Sequence, residues 1–181
     1  MLALQPLPVN EDEPYRAFLA AFQLDRFDSG WHIVRDHRGW RVRDIQVCSL
    51  WLASIQPSFD SHAFLFVVHT PDGASGLFAF AGSDGLPIIV SEPVAVRDSV
   101  SEALSSINLS PTSSDFAEIS LDGISHSLHV RALSLSYDLH FSNPSSKCLR
   151  RIQRELVATA ESLRDRRISD YLQVWRRYLS E

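Results

Sequence analysis

The feature that most constrains the fold is a series of short segments that alternate in polarity and are joined by tight turns. Alternation with a period of two residues is typical of strands that bury one face. These segments follow one another without a regular alternation with helices, and most of the connections are short turns rich in glycine, proline and aspartate. The sequence therefore favours an antiparallel sheet with helices on one face or at its ends.

The predicted strands form two hairpins and a meander. The first hairpin is 30–36 with 40–47, the meander is 63–68, 76–82 and 86–90, and the second hairpin is 117–121 with 124–130. Tight-turn residues separate the strands, with Asp122-Gly123 as the strongest hairpin signal. Pro87 predicts an edge position for its strand because proline cannot donate to a ladder.

The strand pattern leaves one segment ambiguous and makes two predictions about the faces on which side chains lie. Residues 47–55 fit either a short helix or a buried strand that Pro57 ends. In the first hairpin, alternation predicts Trp40 and Val42 on one face and Arg41 and Arg43 on the other. After Ala132 the alternation changes phase, which predicts a bulge or sharp bend near Arg131-Ala132.

Helical patterns lie at both ends and in the middle of the chain. An apolar stripe predicts a helix over 12–24, and the capping box Ser99 to Glu102 predicts one over 98–108. A third pattern fills 145–181 and falters at 164–167, so it is one bent helix or two. The predicted class is α+β: one domain over 1–181, with an extended arm at 1–11, a single sheet of about six to seven strands, an N-terminal helix, a middle helix and a long C-terminal helical segment.

Composition agrees with an ordinary globular domain. The chain has 181 residues, 45% of them hydrophobic, with a net charge of -5, which argues against a dedicated nucleic-acid binder. Two cysteines are too few for a disulfide scaffold, no signal peptide is evident, and no apolar run could span a bilayer. We expect a soluble, cytoplasmic protein.

A catalytic hypothesis rests on Cys48. It precedes a possible helix, whose dipole would favour the thiolate, and His62 and His69 flank the buried strand that follows. This layout resembles that of papain-like hydrolases, although only thirteen residues separate Cys48 from His62. The competing interpretation is that Cys48 and Cys148 are small, buried and inert.

Seven histidines raise the question of a metal site. Structural zinc sites use tightly spaced ligand pairs on turns or helices, whereas His126 and His129 lie three apart on one strand and face opposite sides. We therefore predict no metal and no cofactor.

Two tryptophans, Trp31 and Trp40, stand on the two arms of the first hairpin. Exposed aromatic side chains there would form a binding face. The alternative is a sheet face that a helix covers.

The C-terminal segment is basic, whereas the rest of the chain is acidic. Nine basic and five acidic residues lie in 147–181. This segment could dock on the acidic body, face an acidic partner or contact phosphates, or it could be a solvated helix surface. The residues predicted to bind a partner are Arg164, Arg166, Arg167, Trp175, Arg176 and Arg177.

Without a convincing catalytic motif, the first functional hypothesis is a non-catalytic protein-binding, adaptor or chaperone-like module. The edge strand near Pro87 and the amphipathic C-terminal segment suggest a homodimer. The order of helices and strands is similar to that of small acidic secretion chaperones, without a shared motif. The alternatives are a cysteine hydrolase using Cys48 with His62 or His69, and a weak nucleic-acid contact through the C-terminal arginines; the choice between enzyme and non-enzyme stays open, leaning to the latter.

Overall fold

The computed structural model describes residues 12–58, 60–81, 87–89, 92–105, 123–133, 135–144 and 146–179. Within them the chain has the predicted α+β class. In chain order the elements are α1 (Asp12–Phe22), β1 (Gly30–Arg35), β2 (Arg41–Val47), β3 (Ser49–Pro57), β4 (Ala63–Thr70), β5 (Gly73–Ala81), β6 (Pro87–Ile89), β7 (Val94–Ala95), α2 (Ser99–Ser105), β8 (Ile124–Ala132), β9 (Leu135–Ser142), α3 (Lys147–Ser162) and α4 (Arg166–Arg176).

The main sheet has the order β6-β5-β4-β3-β8-β9, with the short β7 also paired to β5. All of its pairings are antiparallel. The predicted meander is confirmed as β4, β5 and β6, and Pro87 lies on an edge strand. The expectation of a single sheet is corrected, because β1 and β2 form a separate two-stranded sheet. Strand β2 leads directly into β3, but both edges of β3 are already occupied by β4 and β8.

The ambiguous segment 47–55 is a strand. It forms most of β3, and the residues from Leu50 to Ile55 are buried without alternation. Helices cover both faces of the sheet at this position, so both sets of side chains need to be apolar. Short, uninterrupted apolar runs do not distinguish a buried strand from a buried helix turn.

The second predicted hairpin paired 124–130 with 117–121, and the structure gives 124–130 other partners. Strand β8 begins at Ile124, directly after Gly123, but its two edges pair with β3 and β9. Residues 117–121 lie outside the described part of the chain. Of the two alternatives predicted near Ala132, the sharp bend is confirmed and the bulge is not, because the chain reverses there and Ala132 pairs with Leu135 across a tight turn.

Two apolar cores lie on opposite faces of the main sheet. On one face α1 packs over β3, β4 and β5, and three phenylalanine rings surround Phe66: Phe18, Phe22 and Phe27. On the other face α2, α3 and α4 cover β3, β4 and β8.

The C-terminal segment consists of two helices. The break falls at Leu163 to Asp165, where Arg164 has a positive φ of 56°, and this is the point at which the apolar stripe falters. Helix α4 buries Ile168, Tyr171, Leu172 and Trp175 in the core of its own domain.

Candidate functional site

Cys48 lies at the bend between β2 and β3, and a strand follows it instead of a helix. The helix dipole that the catalytic hypothesis required is therefore absent at this position. His62 and His69 lie at opposite ends of β4, about 23 Å apart at the usual rise per residue of a strand. Only His69 is near Cys48, through a backbone hydrogen bond of 2.8 Å from Cys48 N to His69 O.

The ring of His69 is engaged elsewhere, by the carboxylate of Asp98. The side chain of Asp98 is almost fully buried, and its Oδ2 contacts His69 Nε2. The same oxygen accepts hydrogen bonds from Trp51 Nε1 at 2.8 Å and from Ser101 Oγ at 2.6 Å. Within the described residues, no hydrogen bond joins the Cys48 side chain to either histidine.

Burial alone would raise the pKa of Asp98. Hydrogen bonds from His69, Ser101 and Trp51 outweigh burial, and the net effect lowers the pKa. Burial and the Asp98 charge together raise the pKa of Tyr137 to about 12. The cluster thus holds a buried anion, linking β3 and β4 to α2.

Asp98 is also the residue that caps α2. The backbone N–H of Ser101 donates to Asp98 Oδ1 over 3.1 Å, so the predicted capping box starting at Ser99 is displaced by one residue. An aspartate directly before the helix was visible in the sequence as a capping candidate. Its contacts with His69 and Trp51 are not visible in the sequence, because these residues lie 29 and 47 positions away from Asp98.

The C-terminal arginines are distributed over α3, α4 and the break between them. Arg164, Arg166, Arg176 and Arg177 are exposed, and Arg167 lies in the first turn of α4. The guanidinium of Arg176 pairs with Glu161 of α3. Part of the basic charge is thus balanced within the C-terminal segment.

Trp175 does not belong to this surface. Its side chain is fully buried, 6.0 Å from the His126 ring between centroids. The sequence pattern correctly placed it on an apolar stripe, but that stripe packs on the domain itself. Its proposed role in partner binding is therefore corrected to one in the core.

His126 and His129 face opposite sides of β8, as predicted. His126 is buried and stacks on Phe141 with ring centroids 4.8 Å apart. Neither ring nitrogen has a hydrogen-bond partner in the described structure, and burial lowers the pKa of His126 to about 3. His129 lies on the other face, with Nδ1 2.9 Å from Asp138 Oδ1.

Among the described residues, the β1–β2 hairpin carries the most numerous group of large exposed apolar side chains. Trp31 is 62% exposed and Trp40 73% exposed, and Ile33 and Val42 are also exposed. We call these four exposed residues, Trp31, Ile33, Trp40 and Val42, the hairpin face, although only Trp31 and Ile33 are shown to share one side of the strand pair. Trp31 is at the base of the hairpin and Trp40 at its tip. The covered-sheet interpretation of these two tryptophans is therefore wrong.

A bulge at Val42 alters the face on which the hairpin arginines lie. Arg41 is opposite Arg35, and Arg43 is opposite Val34, so Val42 is an extra residue in β2. Cross-strand partners share a face, which separates Arg41 from Arg43. The predicted common face of Arg41 and Arg43 is wrong, because one inserted residue reverses the alternation. The predicted common face of Trp40 and Val42 is not confirmed, because Val42 is itself the inserted residue and has no cross-strand partner in the β1–β2 pairing.

The inner side of the hairpin is anchored to the domain. His32 is fully buried, with Nδ1 2.6 Å from Asp25 Oδ1 and Nε2 2.8 Å from Asp28 O. Arg26 donates to the carbonyl of Trp31 over 3.1 Å. These contacts fix the base of the hairpin through His32 and leave Trp31 and Ile33 exposed on the opposite side of β1.

Comparisons of the chain with protein-family models, with curated proteins and with solved structures found no match. In the described ranges, no helix is long and apolar enough to cross a membrane. The same residues include no group of three or more His, Cys, Asp or Glu side chains placed to hold a metal ion.

Proposed function

We propose that this chain is a non-catalytic protein-binding module of the adaptor or chaperone-like kind, and that it binds its partner through the hairpin face. The observation that carries the proposal is the exposure of two tryptophans, at the base and at the tip of a hairpin that His32 and Arg26 hold in place. Exposed aromatic side chains on a well-anchored strand pair are unusual on a surface that contacts only water.

Energetics favour this surface as a binding site. Tryptophan is among the residues most enriched at the energetic centres of protein interfaces. Burial of a tryptophan removes a large apolar area from water while few side-chain torsions are immobilised. Because His32 and Arg26 already order the hairpin, a partner would meet a preformed surface with a small entropic penalty.

Charge indicates the chemistry of the partner. Four arginines and two aspartates lie in residues 30–47, so the hairpin is basic on a chain with a net charge of -5. One of the arginines, Arg41, pairs with Asp44 next to the hairpin face. We infer a protein partner with an apolar pocket for the tryptophans and carboxylates at its rim.

Site-specific photo-crosslinking tests this proposal. A photoreactive phenylalanine analogue replaces Trp40 in the full chain, which is then irradiated in a lysate of the source organism. We expect one discrete cross-linked protein, and we expect the full-length wild-type chain to compete for it. The purified partner should bind the double variant Trp31→Ser/Trp40→Ser at least tenfold more weakly than the wild type.

The matched control is Leu133→Ser/Leu135→Ser, which removes two exposed leucines at the β8–β9 turn. This variant should bind the partner as the wild type does. The proposal fails if no protein is cross-linked, or if the leucine variant and the tryptophan variant lose the partner equally.

The two alternatives stand differently. No observation favours the hydrolase hypothesis, because no helix begins after Cys48 and His62 lies at the far end of β4 from it. Nucleic-acid contact through the C-terminal arginines stays a prediction, whose signature would be binding that weakens steeply with salt.

A further inference from the structure

We propose that two copies of this chain pair through β9, antiparallel and edge to edge, so that their main sheets become one continuous sheet with Leu139 on the two-fold axis. The proposal does not depend on the partner of the hairpin face.

Within the described residues, strand β9 is an edge of the main sheet. It is the last strand in the sheet order, and in the part of the chain that the structure describes no strand lies beyond it. It pairs with β8 over eight consecutive residues without a register shift. Natural edge strands are usually protected by proline, charged side chains, bulges or short length. Of these features β9 has only the charge of Asp138, which already pairs with His129 and Arg131.

The opposite edge of the sheet is protected. There β6 has three residues and begins at Pro87, and β7 has two. The sequence had suggested the Pro87 edge as a site of association. The greater length and regular register of β9 favour the other edge.

The backbone of β9 fixes which residues would bond to a second strand. Asn143 N donates to Ile124 O over 3.1 Å, so the odd-numbered residues from 135 to 143 direct their backbone groups towards β8. Alternation then directs the N–H and C=O groups of Ser136, Asp138, His140 and Ser142 outwards. These are the groups that a second strand would bond.

The faces of β9 restrict the register. One face carries Tyr137, Leu139 and Phe141, which continue the apolar core, and the other carries the polar even-numbered side chains. Two copies related by a two-fold axis perpendicular to the sheet pair residues of β9 that lie at equal distances on either side of the axis. Cross-strand partners must share a face. The axis must therefore lie level with a residue and not between two residues, so that odd-numbered residues pair with odd-numbered ones.

Charge complementarity selects one of these positions. An axis at Leu139 places His140 of each copy opposite Asp138 of the other and pairs Tyr137 with Phe141 beside it. His140 Nδ1 bonds Ser127 Oγ over 2.9 Å, so Nε2 is the ring nitrogen that would meet the carboxylate. An axis at Asp138 would oppose two carboxylates, which is destabilising. Axes at Tyr137 or His140 would leave Asp138 opposite a serine.

Asp138 has an oxygen available for this contact. His129 Nδ1 and Arg131 Nη1 both bond its Oδ1, at 2.9 Å and 3.0 Å. Among the described residues, no hydrogen bond uses Oδ2. Leu139 would lie in a non-hydrogen-bonded pair with its own copy, the closer type of cross-strand pair.

Sedimentation of the full chain tests the interface. The wild type should sediment as a dimer, and His140→Asp should weaken the dimer about tenfold, because it opposes two carboxylates at two symmetric positions. The double change Asp138→Asn/His140→Asp should restore dimerisation, since the amide N–H can donate to the opposed carboxylate while the amide oxygen still accepts from His129 and Arg131. His62→Asp, the same change at an exposed histidine far from β9, should leave the dimer intact.

Cross-linking tests the register independently. In a Cys48→Ser/Cys148→Ser background with a mild thiol oxidant, Leu139→Cys should give a disulfide-linked dimer, because the two positions would meet on the axis. Leu135→Cys should not, since the two copies of that position would be about 26 Å apart. A chain that is monomeric at all concentrations, or one that is cross-linked at 135 in preference to 139, would overturn the proposal.

Discussion

Two buried polar side chains, Asp98 and His126, lie on the same side of the main sheet. Asp98 has several hydrogen-bond donors around it, whereas His126 has no hydrogen-bond partner among the described residues. Asp98 accepts bonds from three side chains and a backbone N–H. His126 has aromatic neighbours and no hydrogen bond. A buried carboxylate with several donors favours its charged form, whereas a buried imidazole without an acceptor favours its neutral form. Both groups therefore make the folded state sensitive to acid.

The change His126→Leu tests this sensitivity at one residue. The folded pKa of His126 is about 3, whereas the unfolded value is about 6.5. Below pH 6.5 only the unfolded chain takes up this proton, so the wild type loses about 1.4 kcal/mol of stability per pH unit until about pH 3. From pH 7.5 to 4.5, His126→Leu should gain about 2–3 kcal/mol relative to the wild type.

Urea denaturation at both pH values measures this difference. His62→Leu is the control, because His62 is exposed, and its difference from the wild type should not change with pH. If the advantage of His126→Leu were equal at pH 7.5 and 4.5, the buried neutral imidazole would be refuted.

At the scale of the element, the β1–β2 hairpin has two faces with separate roles. The inner face carries buried His32 and Val34, and the outer face carries exposed Trp31 and Ile33. Alternation along β1 predicts that two such faces exist. Alternation does not indicate which of the two faces is covered. The face with His32 is covered because residues 25–28 lie against it, and their position is set by the tertiary fold.

Substitutions on the two faces should therefore have different effects. His32→Ala removes the contacts to Asp25 and Asp28 and should lower the free energy of unfolding by about 2–3 kcal/mol. The double variant Trp31→Ser/Trp40→Ser should change it by about 1 kcal/mol or less, because both side chains are exposed.

Thermal and urea denaturation report both effects, with His37→Ala in the hairpin turn as the matched histidine control. Acrylamide quenching of tryptophan fluorescence adds a second readout. The double variant should lose the readily quenched emission and keep that of the buried Trp51 and Trp175. A double variant as unstable as His32→Ala would show that the hairpin face is structural.

For the whole molecule, the decisive fact is that α3 and α4 pack on their own domain. Their apolar stripe contributes Ile152, Leu156, Tyr171 and Trp175 to the core beneath the sheet. The same stripe in the sequence was compatible with pairing between two chains. Internal packing removes this stripe from pairing between chains, which is why the proposed contact between two copies uses the β9 edge instead of a helix surface.

Trp175→Ala should test this internal role. Loss of a fully buried tryptophan leaves a large cavity and should lower the free energy of unfolding by about 3–5 kcal/mol. Arg177→Ala, two residues away and exposed, should change it by about 0.5 kcal/mol or less. Wild-type stability of Trp175→Ala together with a lost partner would instead support the surface role first inferred for this residue.

Local signals in the sequence determined most of the elements. The stripe from Tyr15 to Phe22 gave α1, the alternation around His37 gave the first hairpin, and the faltering pattern at 164–167 marked the break between α3 and α4. Each of these signals lies within a few residues along the chain, where helix and strand periodicity act.

Only the tertiary structure decided which strands are neighbours in the sheet and which distant side chains are in contact. It made 49–57 a central strand, placed β8 between β3 and β9, separated the hairpin from the main sheet, and assembled the Asp98 cluster. These outcomes depend on which edges and faces are already occupied by distant segments. Periodicity specifies that a face is buried, but the covering partner follows from packing of the whole chain.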